Sequence, residues 1–282
     1  MTADVERSDE VFRAWMRNNL DRAAAHFGLA IVGQPTFGWR LRSIGVAARG
    51  TGGPCWLRVG SEQARWLGDG GEFWTGSLDA NIIDGVPKPR VLDTTDWEVP
   101  DQHRRVRADV MTVLPGRPCS PTDVLHAPLD LPEVWWESLR AALDRLRQVP
   151  TSRYAARGTD TRRVRDTLGV DLRIGRWETI HSDLHWNNLL EPQLGILDWE
   201  FWGRGPVGTD AASLYCYSLL VPGVARRVWQ TFGAVLDTDD GRRALLWVAA
   251  RLLHRATKFG DYPALITPLR ELIAPLLTSG GA

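Results

Sequence analysis

The side chains most suited to chemistry lie together past the middle of the chain. The run His181-Ser182-Asp183-Leu184-His185-Trp186-Asn187-Asn188 is followed by Leu197-Asp198-Trp199-Glu200. Asp183 and Asn188 are five residues apart on what reads as a loop between short strands, and Asp198 ends the next strand. Such a loop can present a carboxylate, an amide oxygen and a second carboxylate to one cavity. Oxygen donors of this kind suit Mg²⁺, a hard cation that keeps some waters and shares phosphate oxygens. A carboxylate not taken up by metal can orient or deprotonate a hydroxyl. Metal, positioned acceptor and in-line geometry are the parts that phosphoryl transfer needs.

In full, the stretch is HSDLHWNNLL, then ILDWEFWGRGPVGTDAA. It resembles the aminoglycoside phosphotransferase family, with its choline- and homoserine-kinase relatives. Their pattern is H-G-D-x-H-x-x-N, then I-D-W/F-E, then G-P-x-x-x-D, and Ser182 stands where the pattern has glycine. The resemblance implies an α+β, two-lobed protein kinase-like fold: a small antiparallel N-lobe sheet and a mainly helical C-lobe. It implies Asp183 as catalytic base, Asn188 and Asp198 as Mg²⁺ ligands, and His181 and His185 as shapers of the loop. Asp210, after the Gly205-Pro206 turn, would be structural. The cofactors implied are ATP, with GTP admitted, and Mg²⁺; the partner is a small-molecule hydroxyl acceptor.

The elements that must position these residues follow from pattern. Val11, Trp15, Leu20, Ala23, Ala24 and Phe27 give a rough helical period over residues 1–28. Ile31-Val32, Ser43–Ala47 and Cys55–Val59 read as strands of an antiparallel sheet, with a turn at Gly50–Pro54. Residues 61–83 suit one irregular helix, Arg90-Val91-Leu92 a short strand, 93–107 a surface loop, and Ala108–Leu114 a buried strand stopped by Pro115-Gly116. From there the character turns helical. Asp130 is the predicted N-cap, with Pro132 in the first turn, and Trp135, Leu139, Ala142 and Leu146 share a face. Trp177–Ile180 reads as a strand and 207–277 as mostly helix. The expected division is a helix over 1–28, an N-lobe over 29–116 and a C-lobe over 117–282.

By the resemblance, a lysine on the third strand should grip the nucleotide phosphates. Arg58 occupies that place, and the only lysines are Lys88 and Lys258. Arginine keeps the charge with a broader, planar head. Glu72 is the first choice for its helix glutamate partner and Glu62 the second. Thr36–Arg40 is a weak match for a loop over the phosphates. Met111–Leu114 resembles the hinge that binds adenine through backbone groups, which makes Met111 and Val113 nucleotide contacts.

The acceptor is less legible. From Ala211 onward eight basic residues face five acids, and Arg251, Arg255 and Lys258 share one helical face. That balance favours a neutral or anionic acceptor, such as a sugar or nucleoside-like metabolite, over a polycation. The stripe itself reads first as a solvated face. Trp186, Trp199 and Trp202 could wall a flat, sugar-like or choline-like acceptor, with core packing equally open, and Glu200 is a further acceptor contact. The Trp135-Trp136 pair reads as core. Two other readings stand beside the small-molecule kinase: a kinase for Ser/Thr of a precursor peptide, and a pseudokinase scaffold suggested by Arg58.

Composition fits a folded globular chain. The 282 residues carry 34 basic and 34 acidic side chains, so a bulk nucleic-acid partner is not expected. Apolar stretches are too short for a membrane span, and the polar, acidic N-terminus lacks a secretory signal. Three cysteines without a CxxC pair fit the cytoplasm.

Overall fold

The computed structural model describes residues 2–67, 71–154 and 161–278. The N-terminal periodicity is a helix, α1 (Thr2–Phe27). Met16, Leu20, Ala23 and Ala24 are buried on one of its faces, with Phe12, Trp15 and Phe27 partly buried beside them. Val11, predicted for the same face, is 67% exposed. Burying a side chain such as Met16 or Leu20 contributes about 1.5–3 kcal/mol.

That helix covers an antiparallel sheet. Its strands are β1 (Ala30–Ile31), β2 (Thr36–Phe37), β3 (Ser43–Gly50), β4 (Gly53–Gln63), β5 (Val91–Val99) and β6 (Arg104–Met111). The order is β1-β3-β4-β6-β5, with β2 also on β3. Between β4 and β5 the expected irregular helix is instead a run of short helical turns, including the four-residue α2 (Gly76–Asp79). The surface loop predicted over 93–107 is also corrected: most of it is β5 and the first half of β6. β5 is an edge strand, exposed along much of its length, so its residues (DTTDWEV after Val91-Leu92) carry polar groups that a central strand would bury. Part of its polarity is used internally. Arg107, 6% exposed, donates to Asp96 and Asp109, and Thr94 donates to Asp109.

The remaining elements are β7 (Arg117–Pro118), α3 (Glu133–Leu146), α4 (Arg162–Leu168), β8 (Trp177–Ile180), β9 (Leu190–Glu191), β10 (Gly203–Pro206), α5 (Thr209–Tyr217), α6 (Pro222–Leu236), α7 (Asp239–Phe259) and α8 (Ile266–Thr278). α3 buries Trp135, Trp136, Leu139, Ala142 and Leu146 as predicted. Its N-cap is Pro132, not Asp130. β8 pairs with β10, and β7 with β9. α5 is buried along nearly its whole length and packs against α6 and α7.

Contacts divide the chain into two compact units. One comprises Met1–Asn81 and Pro89–Leu114, the other Ile82–Lys88 and Pro115–Ala282. The three cysteines are buried and unpaired. Among the described residues no helix is long and apolar enough to cross a membrane.

Candidate active site

In the sheet unit, strand register decides which side chains share a face. Trp56 pairs with Met111 and Arg58 with Asp109, so these four lie on one face. Leu57, Val59, Ala108 and Val110 alternate onto the other face, where α1 packs. Arg58 and Met111 are thus together on the side away from α1. Trp56, which sequence reading left unassigned, lies across this face over Gly45. A Cβ on Gly45 would meet the Trp56 Nε1 at 2.6 Å, so the indole needs a glycine beneath it. Glu62 is on β4, paired with Arg42 at 3.2 Å, and is not a helix glutamate. Glu72 opens a single helical turn (Glu72–Trp74). Val113 is 49% exposed just beyond β6, where Thr112 exchanges hydrogen bonds with Arg90.

In the helical unit, β8 delivers the chain to the loop that begins at His181. The strand lies close to β10 because Gly205 has no side chain; a Cβ there would meet Ile180 Cδ1 at 2.2 Å. The loop is then held by backbone groups. Asp210, in the first turn of α5 and 6% exposed, accepts the N–H of His181 at 2.7 Å and of Ser182 at 3.0 Å. Burial pushes the Asp210 carboxyl up; the His181 ring and those two N–H groups pull it back only in part. His181, fully buried, donates from Nε2 to the Leu197 carbonyl at 2.8 Å and sits edge-on to Trp199. That bond ties the start of the loop to the residue before Asp198.

Asp183, His185, Asn188 and Asp198 are brought together. Asn188 Nδ2 donates to the Asp183 carbonyl at 3.0 Å and lies 3.1 Å from His185 Nε2, which leaves its Oδ1 for another partner. The Leu197 N–H donates to the Asn188 carbonyl, so Asp198 follows on the adjacent rung, exposed and with a left-handed backbone (φ 59°). His185 Nε2 is 3.6 Å from Asp183 Oδ2 and equally 3.6 Å from Asp123 Oδ1. Burial would lower the His185 pKa, but Asp183, Asp123 and Asp198 outweigh it and raise it. Burial likewise pushes Asp183 up, yet His185, Arg251 and His181 hold its carboxyl down to about 2. The carboxylate therefore stays ionised and able to accept a proton or a hydrogen bond.

Asp123 is a functional candidate that sequence reading missed. Its carboxylate also accepts the Tyr262 hydroxyl, from 139 residues away, and no local spacing signals that pairing. The tryptophans require a correction. Trp186 is 0% exposed, stacked near Trp135 and donating to Ser218, and Trp202 is 1% exposed beneath Arg153. Trp199 is 2% exposed and donates to the Ile196 carbonyl. All three are core and do not wall an acceptor. Glu200 is partly exposed, with its carbonyl accepting from Arg153. The basic stripe on α7 is corrected too. Arg251 donates to Ser182 and Ser213, Arg255 pairs with Asp261 under Tyr262, and only Lys258 is exposed.

Beside Ser182 lies a cavity of about 180 Å³, whose lining includes Tyr154, Phe201, Trp247, Arg204 and Arg251. Among the described residues no three His, Cys, Asp or Glu side chains form a metal-ligand group. Two donors, the Asn188 amide oxygen and the Asp198 carboxylate, fit a cation that takes its remaining ligands from water and phosphate.

No protein-family model matches the chain, and no curated protein matches it in sequence. Solved structures do match. Aminoglycoside phosphotransferase APH(4)-Ia is 14% identical over 93% of this chain and 98% of its own, with a TM-score of 0.59. Amicoumacin kinase, in complex with AMP-PNP, Ca²⁺ and Ami, is 15% identical over 90% and 92%, with a TM-score of 0.57. The microcompartment-associated aminopropanol kinase is 15% identical over 88% and 93%, also at 0.57. The antiparallel sheet unit and the helical unit thus have the kinase-like fold of the aminoglycoside phosphotransferases.

Proposed function

We propose that the protein is an ATP-dependent phosphotransferase that moves the γ-phosphate to a hydroxyl of a small molecule. One observation carries this reading. An ionised Asp183 sits on a loop that also presents the Asn188 amide oxygen, with Asp198 exposed on the adjacent rung. Asp183 would accept or orient the acceptor's hydroxyl proton, and His185, between Asp183 and Asp123, would fix the carboxylate's direction. Asn188 and Asp198 would hold Mg²⁺. When bound, the cation supplies charge neutralisation on the phosphates. Arg58 would take phosphate in place of lysine, with Glu72 as its partner, and the backbone near Met111 and Val113 would take the base of ATP or GTP. The structural neighbours support this set, since aminoglycoside phosphotransferase APH(4)-Ia forms a ternary complex with ADP and hygromycin B, and amicoumacin kinase a complex with AMP-PNP, Ca²⁺ and Ami. The buried free thiols fit a cytoplasmic location.

For the acceptor we favour a neutral or anionic molecule, because Arg204 borders the cavity beside Ser182. The test is phosphate transfer from ATP, followed by phosphorus NMR, against neutral sugars, nucleosides, hydroxy acids and polycationic aminoglycosides. Asp183→Asn should lower transfer by roughly 10²–10⁴-fold while nucleotide binding persists. Transfer at the wild-type rate in that variant would overturn the assignment of the base. A scaffold would show no transfer in either protein.

A further inference from the structure

We propose that Arg251, on α7, is a positioning residue of the catalytic loop: it fixes the Ser182–Asp183 peptide and so makes a serine tolerable where the backbone favours glycine. This rests on reading Asp183 as the base. Ser182 has φ 74°, in the left-handed region that a residue with a Cβ adopts only at a cost. Asp210 grips the loop on the N-terminal side of that residue, through the N–H groups of His181 and Ser182. Nothing in that grip fixes the next peptide plane, whose orientation sets the direction of Asp183. Arg251 does so. Its Nη1 donates to the Ser182 carbonyl at 2.8 Å, across 69 residues of sequence, and its Nη2 reaches Ser213 Oγ at 3.4 Å. The two sides of the strained residue are thus held from two helices, by α5 through Asp210 and by α7 through Arg251.

The guanidinium's own surroundings agree. Its Nε is buried with no hydrogen-bond partner among the described residues. That arrangement costs stability, so the fork is not placed for its own solvation. Its charge also helps to hold Asp183 ionised.

The experiment is hydrogen exchange of the Ser182 and Asp183 amides, the second being the N–H of the peptide that Arg251 holds, with ATP turnover measured alongside. The proteins are the full-length wild type, Arg251→Met, Arg251→Lys and the double variant Ser182→Gly/Arg251→Met. We expect at least tenfold faster exchange of the two amides in Arg251→Met, with the amides of α6 unaltered. Turnover should fall through kcat and leave KM for ATP in place. Adding Ser182→Gly should recover much of both, because glycine removes the strain that Arg251 holds. Arg251→Lys, which keeps the charge and one donor, should lie between and covers the case in which Arg251→Met does not fold. Wild-type exchange in Arg251→Met, or no recovery with Ser182→Gly, would overturn the proposal. So would a change confined to the acceptor's KM, which would make Arg251 a ligand contact. A wild type that turns over no ATP would count against the phosphotransferase reading, while the exchange comparison would still decide the role of Arg251.

Discussion

Replacing Asp210 by asparagine tests how firmly the loop is anchored. The carboxylate accepts two backbone N–H groups, at 2.7 and 3.0 Å, in a site 6% exposed. Asparagine keeps one acceptor oxygen and turns an NH₂ toward the other N–H. Leaving one buried N–H without an acceptor costs about 1–3 kcal/mol. Reducing the remaining bond from charge-assisted to neutral costs roughly 1 kcal/mol more. Against this, burial already pushes the Asp210 carboxyl up, so removing the charge returns part of the loss. The net expected cost is about 2 kcal/mol, which for a urea slope of about 2 kcal/mol/M lowers the unfolding midpoint by roughly 1 M. Freed at its root, the loop should also misplace Asp183, and a shift of about 1 Å can cost roughly 10²-fold in turnover. Urea unfolding followed by tryptophan fluorescence, with ATP turnover on the folded variant, measures both. An unchanged midpoint together with unchanged turnover would refute the anchoring argument.

Two more outcomes follow from the same geometry. Trp186→Phe should destabilise the protein by about 1–3 kcal/mol, through lost packing and the lost Ser218 hydrogen bond, and leave the acceptor's KM in place. A KM effect without a stability effect would return Trp186 to the acceptor site. Glu178 accepts the Gly208 N–H, yet burial raises its pKa above the ordinary 4.5. The folded state then holds that proton more tightly than the unfolded chain, so this group's contribution is greatest at low pH and is lost as pH rises through the raised value. Urea midpoints between about pH 4 and pH 7 should therefore fall in the wild type relative to Glu178→Gln; a constant difference between the two proteins would contradict the shift.

The parts legible in the sequence were those whose partners are close along the chain. Trp177–Ile180 is β8 to the residue, and Asp183, His185, Asn188 and Asp198 meet because one loop and one adjacent rung carry them all. What the sequence hid depends on distant partners. Asp123 looks like any acid in a proline-rich stretch until Tyr262 and His185 close on it. Arg251 looks like a solvated helix residue until the Ser182 carbonyl is seen in front of it. The tryptophans near the motif were ambiguous because an aromatic cluster has the same composition in a core as in a binding wall; only their burial separates the two. β5 beyond Leu92 reads as a loop because an edge strand, lacking a second neighbour, has no need of the apolar alternation that marks a central one.

The most direct test of the central claim is calorimetric titration with ATP, with and without Mg²⁺, on the wild type and on Asp198→Asn. The account predicts binding that requires Mg²⁺ and is lost or severely weakened in the variant. Binding indifferent to both the metal and the substitution, or no binding to the wild type at millimolar nucleotide, would contradict it.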